Sequence, residues 1–286
     1  MKHDIYRTLI FCIELLLPTV LSAQKLDSLR TNQLTVRCVQ YGIGYSNILD
    51  TYLSTQEYKG IDFRTSRETM RMTNIGKGNV SLQNFLQANF SFGKNRVDNN
   101  NTLAGMVNWN YGLHYQFKLS DNFKLLAGGL GDTNLGFIYN LRNSNNPASL
   151  RAYINLDASA MAIWRFHVKK RILILRYQLN TPILGVMFSP EMGESYYEIF
   201  SLGHYSGTIK LTSIHQQPSL RQFLSLDIPI GQQQIRLTYL GDLQQSHINN
   251  IKTHSYSHVF MIGFVKRIYK LSNKDLQKIP ASIQAY

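Results

Sequence analysis

Polar and apolar residues alternate along several long segments of the chain. Between residues 80 and 92 the even positions are apolar except Asn84, and the odd positions are polar except Phe85. Residues 103–117 repeat the pattern, with most of the large apolar side chains at odd positions. Successive side chains of a β-strand point to opposite sides of the sheet. Each segment therefore predicts a strand with one apolar face and one polar face.

A less regular alternation predicts further strands at 39–46, 150–164, 173–180, 235–242 and 258–269. Several of these segments exceed the roughly five or six residues of a typical soluble strand and suit a tilted strand that crosses a bilayer. In lipid an unpaired backbone group is costly, so a lipid-facing sheet must have no edges. We therefore predict an all-β fold: a transmembrane, antiparallel, up-and-down β-barrel.

The connections predict the size of this barrel. Short turns are expected at 74–79, 118–122, 167–171 and 229–233, and longer polar loops at 94–101, 141–148, 188–196 and 246–253. Tight turns at one end and larger loops at the other are typical of outer-membrane barrels. The spacing predicts about twelve strands within 24–271, in a range of roughly ten to fourteen. Alternation is weakest in 48–78 and 196–218, and residues 272–286 are expected to form a C-terminal tail.

The first 23 residues differ from the rest of the chain. Lys2 and Arg7 precede an apolar run, and small residues at 22–23 offer a cleavage site, which is the order of a secretory signal peptide. We expect export and insertion into the outer membrane of a Gram-negative bacterium. Beyond this segment Cys38 is the single cysteine, so an internal disulfide is excluded. A mean hydropathy of −0.20 argues against a bundle of apolar membrane helices.

The formal net charge of +13 fits either nucleic acid or anionic lipid headgroups as partners. Because the basic residues are dispersed and no nucleic-acid motif is present, we predict outer-membrane lipids and envelope proteins as partners, and no nucleic acid. We predict no cofactor and no metal. His254 and His258 share a predicted strand face, but residues four apart on a strand lie about 13 Å apart, too far for one metal ion.

One pair of residues suggests catalysis. His204 and Ser206 lie two apart on a predicted strand, so their side chains would point the same way. The pair resembles the His-x-Ser element of outer-membrane phospholipase A and of the barrel lipid A deacylase. Those families place an Asn or Glu about a dozen residues beyond the serine, where this chain has Gln216, Gln217 and Pro218. A barrel lipid hydrolase therefore stands as the alternative to a non-enzymatic barrel.

Charged residues of both signs lie on the polar faces of the predicted strands. If these faces turn inward, they line a lumen that is either a salt-bridged interior of a narrow barrel or a porin-like path for small solutes. The predicted functions are an envelope structural or partner-binding role, or small-solute passage. A soluble secreted β-sandwich that acts as a glycan-binding module is a further alternative. The predicted lumen-facing residues are Arg151, Asp157, Arg176, Arg221, Asp227, Arg236 and Asp242.

Four short stretches resemble a family of outer-membrane barrels from Bacteroidota that has no assigned activity. They are DNNNT at 98–102, NWNYG at 108–112, KLLAGG at 124–129 and QPSLRQ at 217–222. The resemblance spans most of the chain after residue 23. It implies the barrel fold and the outer-membrane location, and it implies no catalytic residue.

Overall fold

The computed structural model describes residues 33–144, 146–169, 171–230 and 233–270. The predicted signal peptide and the C-terminal tail lie outside these residues. The strands are β1 (Gln33–Asp50), β2 (Ser54–Met72), β3 (Val80–Asn95), β4 (Asn101–Lys118), β5 (Phe123–Asn140), β6 (Ala148–Val168), β7 (Arg171–Phe188), β8 (Ile209–Ser213), β9 (Leu220–Ile230), β10 (Gln233–Ile248) and β11 (Ile251–Lys270). A 3-10 turn (Ile75–Gly78) follows β2, and a short helix, α1 (Tyr196–Phe200), precedes β8.

The sheet closes on itself. Each strand from β1 to β7 pairs antiparallel with the next, and the order continues through β9, β10 and β11. β11 then pairs with β1 along its whole length, from Gln33 opposite Lys270 to Asp50 opposite Thr253. Closure bonds the backbone groups of the first and last strands to each other and so removes the edges that both would otherwise have. The short β8, which among the described strands pairs with β7 alone, keeps one edge in the wall beside the end of β7. The predicted antiparallel barrel is confirmed, and the alternative two-sheet sandwich is wrong.

The barrel has ten strands and one short extra strand, which is slightly fewer than the predicted twelve and within the predicted range of ten to fourteen. β7 pairs with β9 over Ile174–Asn180 and with β8 over Leu184–Phe188, so β8 and β9 together occupy one place in the wall. The overcount came from the two segments with the weakest alternation. Residues 48–78 contain a single complete strand, β2, and residues 196–218 contain only α1 and the five-residue β8.

The two ends of the barrel differ in their connections. The ends of β2, β4, β6 and β9 lie on the same side as the start of β1, and we call this side the turn end. The opposite side, the loop end, includes the long connection 189–208. The long loop predicted at 246–253 is wrong, because β10 and β11 are joined by Asn249 and Asn250 alone. Both have positive φ, 53° and 62°, which asparagine tolerates and which a two-residue hairpin turn requires.

The wall has its apolar face outside and its polar face inside. Tyr41 is 66 % exposed and Phe260 is 70 % exposed, whereas Arg236 is 1 % exposed and Glu68 is 3 % exposed. Water-soluble proteins bury residues in the opposite way. A closed sheet with an apolar outer surface matches the polarity of a barrel surrounded by lipid. Other large apolar residues exposed on the outer wall are Ile43, Phe63, Val107, Trp109, Leu135, Ile154, Ile262 and Phe264.

Four apolar clusters lie among the inward-facing polar residues. The largest is at the turn end: Val36, Cys38, Met70, Leu126, Met161, Ile163, Ile174 and Val265. In the middle of the barrel Phe85 of β3 meets Phe223 of β9 edge to face, with ring centroids 5.1 Å apart. Two smaller clusters around Ile48 and Tyr153 lie near the loop end. In the part of the chain that the structure describes, no helix is long and apolar enough to cross a membrane.

Candidate functional site

A cluster of ion pairs spans the lumen in its turn-end half. Both Nη atoms of Arg176 on β7 donate to Glu68 on β2, each at 2.8 Å. Arg236 on β10 bridges Glu68 and Asp227, and Gln83 Nε2 donates to Glu68 Oε1 at 2.7 Å. β2 and β7 are opposite each other in the ring of ten strands. The Arg176–Glu68 pair therefore connects opposite walls, and the two arginines balance the two carboxylates.

A second cluster lies closer to the loop end. Arg64 contacts Asp62 at 3.0 Å and Asp242 at 2.7 Å. Arg221 on β9 contacts the other oxygen of Asp242 at 3.1 Å and lies 3.7 Å from Asp132 on β5. Here three carboxylates face two arginines. Amide and hydroxyl donors stabilise the remaining negative charge, because Asn110 donates to Asp132 at 2.6 Å and Ser257 donates to Asp62 at 2.7 Å.

These clusters contain five of the seven predicted lumen residues: Arg176, Arg221, Asp227, Arg236 and Asp242. Asp157 is also buried on the inner face, but it forms no ion pair within the described part of the chain. Arg151 is half-buried, and its carbonyl oxygen accepts a hydrogen bond from Asn134 Nδ2 at 3.1 Å.

Sequence reasoning missed five buried charged residues of the inner face: Asp50, Asp62, Arg64, Glu68 and Asp132. Three of them lie on β2, whose outer face is also polar around Arg67 and Thr69. Two polar faces remove the period-two signal by which the other strands were found. Asp132 lies in the glycine-containing β5, where the apolar face is interrupted at Gly129 and Gly131. The charged residues at even positions of β2, which are Asp62, Arg64 and Glu68, could have indicated this inner face.

Two small cavities lie between inward-facing side chains of the described strands. One cavity of about 20 Å³ is lined by residues that include Arg64, Tyr153, Arg221 and Asp242. Another, of about 10 Å³, lies near the loop end and includes Asp50 in its lining. A cavity must offer about 10–15 Å³ to hold one water molecule. The two cavities are therefore of the size of single water molecules.

The long connection 189–208 is fastened to the loop end of the barrel. Tyr52 Oη donates to the Glu194 carbonyl oxygen at 2.8 Å, and Leu150 N donates to Tyr196 Oη at 2.6 Å. Asn249 Nδ2 donates to the carbonyl oxygen of Ser189 at 2.9 Å. Burial raises the pKa of Tyr52 to about 12. The connection is thus held by three other segments and forms a packed cover.

The helix α1 organises this cover. Ser195 accepts a hydrogen bond from Glu198 N, and the Glu198 carboxylate accepts one from Ser195 N at 2.7 Å, which makes a capping box. The Ser195 backbone N–H lowers the pKa of Glu198. Tyr196 and Phe200 stack with their ring centroids 6.0 Å apart, and Ile199 is fully buried.

His204 and Ser206 lie in the same connection and not on a strand, so that part of their prediction is wrong. Gly203 and Gly207 flank them with positive φ values of 79° and 80°, which interrupt an extended backbone. Both side chains are exposed, and no contact joins them within the described residues. His204 N donates to the Glu198 carbonyl oxygen at 3.1 Å. The hydrolase hypothesis gains no support from this geometry.

Another His–Ser contact lies inside the lumen and was not predicted. His114 Nε2 and Ser159 Oγ are 2.8 Å apart, and Ser159 donates to Asn180 Oδ1 at 2.8 Å. A nucleophilic triad needs its third group to orient the histidine. Here Asn180 binds the serine instead, and all three residues are buried. His114 Nδ1 has no hydrogen-bond partner among the described residues, so no third group orients the imidazole as a triad requires. The predicted His254 and His258 pair lies on the outer face of β11, where His258 Nδ1 is 2.7 Å from Tyr239 Oη.

Comparison with solved structures finds outer-membrane barrels. The transport unit of the autotransporter AIDA-I from Escherichia coli is 8 % identical with a TM-score of 0.41, covering 89 % of this chain and 97 % of that one. The β domain of the Bordetella autotransporter BrkA is 7 % identical with a TM-score of 0.41, covering 83 % and 99 %. The outer-membrane protease OmpT from Escherichia coli is 5 % identical with a TM-score of 0.36, covering 85 % and 99 %.

Comparison with curated protein sequences gives no match. A family model described as "Protein of unknown function (DUF3316)" matches residues 7–275. The match spans most of the sequence, and the chain belongs to this family.

Proposed function

We propose that this DUF3316 protein is a non-enzymatic barrel of a Gram-negative outer membrane with a closed, structural lumen. The observation that supports this most directly is the inverted polarity of the wall. Large apolar residues such as Tyr41 and Phe260 are exposed outside, and paired charges such as Glu68 and Arg176 are buried inside. Outside lipid, the exposed apolar surface would be unfavourable. The signal-peptide pattern at 1–23 fits export to that membrane.

Contacts across the lumen favour a structural interior over small-solute passage. Opposite walls are joined by two neighbouring contacts, one between Arg176 and Glu68 and one between Phe85 and Phe223. Removing such a bridge costs stability, because an unpaired buried charge is expensive. The lumen residues thus have a structural task that an open aqueous path would prevent.

The cover at the loop end supports partner binding as the task of the barrel. Connection 189–208 packs against the barrel through Tyr52, Leu150 and Asn249. Its outer side exposes Tyr197, Phe200, Leu202 and Tyr205. Clustered exposed aromatic and aliphatic residues are typical of protein contact surfaces. We propose that an envelope protein binds here.

Conductance in planar bilayers tests this proposal. Folded protein is first identified by faster gel migration without heating than after boiling, and by retention in the membrane fraction. We expect no steady conductance steps from wild-type protein, and steady steps would replace the structural role with solute passage. Extraction without detergent, together with absence of the gel shift, would contradict the membrane barrel itself. Hydrolysis of phospholipid or lipid A by wild-type protein, lost on Ser206→Ala, would contradict the non-enzymatic role.

A further inference from the structure

A polar, cationic region interrupts the apolar outer wall near the turn end. In the strand register Lys266 on β11 is opposite Arg37 on β1, and Arg37 is opposite Thr69 on β2. Thr69 is in turn opposite Asn84 on β3, so these four residues form one row across four strands. Arg67 and Arg71 lie two positions to either side of Thr69 on the same face. We define the cationic patch by its four charged residues: Arg37, Arg67, Arg71 and Lys266.

The charges of the cationic patch have no partner among the described residues. None of the four side chains forms an ion pair or a side-chain hydrogen bond there, and all four are exposed. Arg37 and Lys266 lie directly opposite each other on the outer face of the sheet. Two like charges in this position destabilise a sheet. On the described strands every carboxylate faces the lumen except Glu57, which lies near the loop end and pairs with Lys59. A counter-charge for the patch must therefore come from outside the described barrel.

A groove adjoins the cationic patch on the outer wall. It has a volume of about 470 Å³ and is lined by Arg67, Thr69, Asn84, Leu86 and Trp109. Volumes of about 300–1,000 Å³ are typical of small-ligand sites. Trp109 Nε1 donates to Asn84 Oδ1 at 2.9 Å, which fixes the amide and leaves its NH₂ as a donor. The groove thus combines a guanidinium, an amide and a hydroxyl with two apolar side chains.

We propose that the groove and the cationic patch bind the phosphate headgroup of an anionic phospholipid in the leaflet at the turn end. The inference rests on the proposed function, since only an inserted barrel presents this wall to lipid. Guanidinium groups bind phosphate oxygens in bidentate fashion. The apolar side chains Leu86 and Trp109 suit the start of an acyl chain. Arg37 and Arg71 lie near strand ends, where a lipid-facing cation costs far less than at the bilayer midplane.

The two tryptophans of the chain make the test specific. Trp109 lines the groove, whereas Trp164 lies on the outer face of β6 between Phe123 and Leu175. Trp164→Phe isolates the first tryptophan and Trp109→Phe isolates the second. Each protein is reconstituted into phosphatidylcholine vesicles that contain a minor fraction of one headgroup-proximal brominated lipid, either phosphatidylglycerol or phosphatidylcholine. Bromine quenches tryptophan fluorescence only at close contact.

We expect brominated phosphatidylglycerol to quench Trp109 several times more strongly than brominated phosphatidylcholine, and both lipids to quench Trp164 equally. Each basic residue near an anionic lipid surface contributes about fivefold in affinity. A triple variant of the patch should therefore lose the preference: Arg37→Gln, Arg67→Gln and Lys266→Gln. A matched triple variant of exposed loop-end cations should keep it: Lys59→Gln, Lys94→Gln and Lys252→Gln.

Three results would overturn the proposal, and they differ from one another. Equal quenching of Trp109 by both brominated lipids would show an inserted barrel without a lipid site. Loss of the preference on addition of inorganic phosphate would show a site for the free ion. Absence of quenching at both Trp109 and Trp164 would show that the barrel is not in the bilayer, and the proposed function would then fail first.

Discussion

Glu68 contacts two arginines in the lumen, and its removal should destabilise the barrel strongly. It is 3 % exposed and receives hydrogen bonds from Arg176, Arg236 and Gln83. Hydrogen bonds to charged groups contribute about 1.5–3 kcal/mol each, but desolvation of each buried ion offsets several kcal/mol of that gain. Breaking a buried pair by removing one partner typically costs about 3–5 kcal/mol. We expect Glu68→Met to lower the free energy of unfolding by that amount.

Replacing both partners should cost less than removing one. In the double variant Glu68→Met/Arg176→Met two apolar side chains of similar volume occupy the space of the ion pair, a change that is often close to neutral. Arg236 retains Asp227 as its partner. We therefore expect the double variant to be more stable than Glu68→Met alone. Asp98→Asn, which breaks the exposed pair with Lys94, is the matched control and should cost below about 1 kcal/mol.

Urea unfolding of protein folded into phosphatidylcholine vesicles, followed by tryptophan fluorescence, measures these differences. The reasoning is refuted if Glu68→Met lies within about 1 kcal/mol of wild type. It is equally refuted if the double variant loses as much free energy of unfolding as Glu68→Met and Arg176→Met lose together. The two residues would then have no coupling energy.

Three further predictions concern the wall and its cover. Gly128→Ala should prevent folding or destabilise the barrel strongly in the gel-shift assay, because an added Cβ would overlap the Leu113 carbonyl oxygen. Gly129→Ala should be tolerated, since its nearest neighbour would be 3.7 Å away. Tyr52→Phe removes one hydrogen bond between the barrel and the cover, which should weaken the docking of the cover by about 1 kcal/mol. Proteolysis within 189–208 should therefore be faster. Because the pKa of Glu198 is lowered, its carboxylate stabilises α1 at any pH above the ordinary glutamate pKa. This contribution is lost as the pH falls through the lowered pKa. Amide exchange of 195–200, corrected for its intrinsic pH dependence, should accelerate as the pH falls below the ordinary glutamate pKa, and Glu198→Gln should show no such acceleration.

The wall of the barrel was predictable where its two faces differ in polarity. β3 and β4 alternate apolar and polar residues over almost their whole length, and the predicted faces match the observed ones. β2 escaped prediction because the cationic patch makes its outer face polar as well. The polar outer face of β2 thus explains why the strand was not predicted, and it also marks the proposed lipid site.

The connections and the partners within the lumen were harder to predict. Asn249 and Asn250 lie within the predicted polar loop 246–253, yet their tolerance of positive φ lets them form a two-residue turn. The predicted charges at Arg176 and Arg236 do face inward, but their shared partner Glu68 comes from a strand over 100 residues away in the sequence. Alternation assigns a residue to a face, and only the closed register determines which residues meet across the lumen.

The central claim is that the outer wall faces lipid. Nitroxide labels at single cysteines, in a Cys38→Ser background and in vesicles, test it through collisions with oxygen, which concentrates in lipid, and with a water-soluble nickel chelate. The wall positions are Val107, Leu135 and Ile262, and the exposed controls at the loop end are Asn99 and Ser201. We predict that oxygen accessibility exceeds nickel accessibility at all three wall positions and that the order reverses at both controls. Nickel accessibility above oxygen accessibility at the wall positions would contradict the claim.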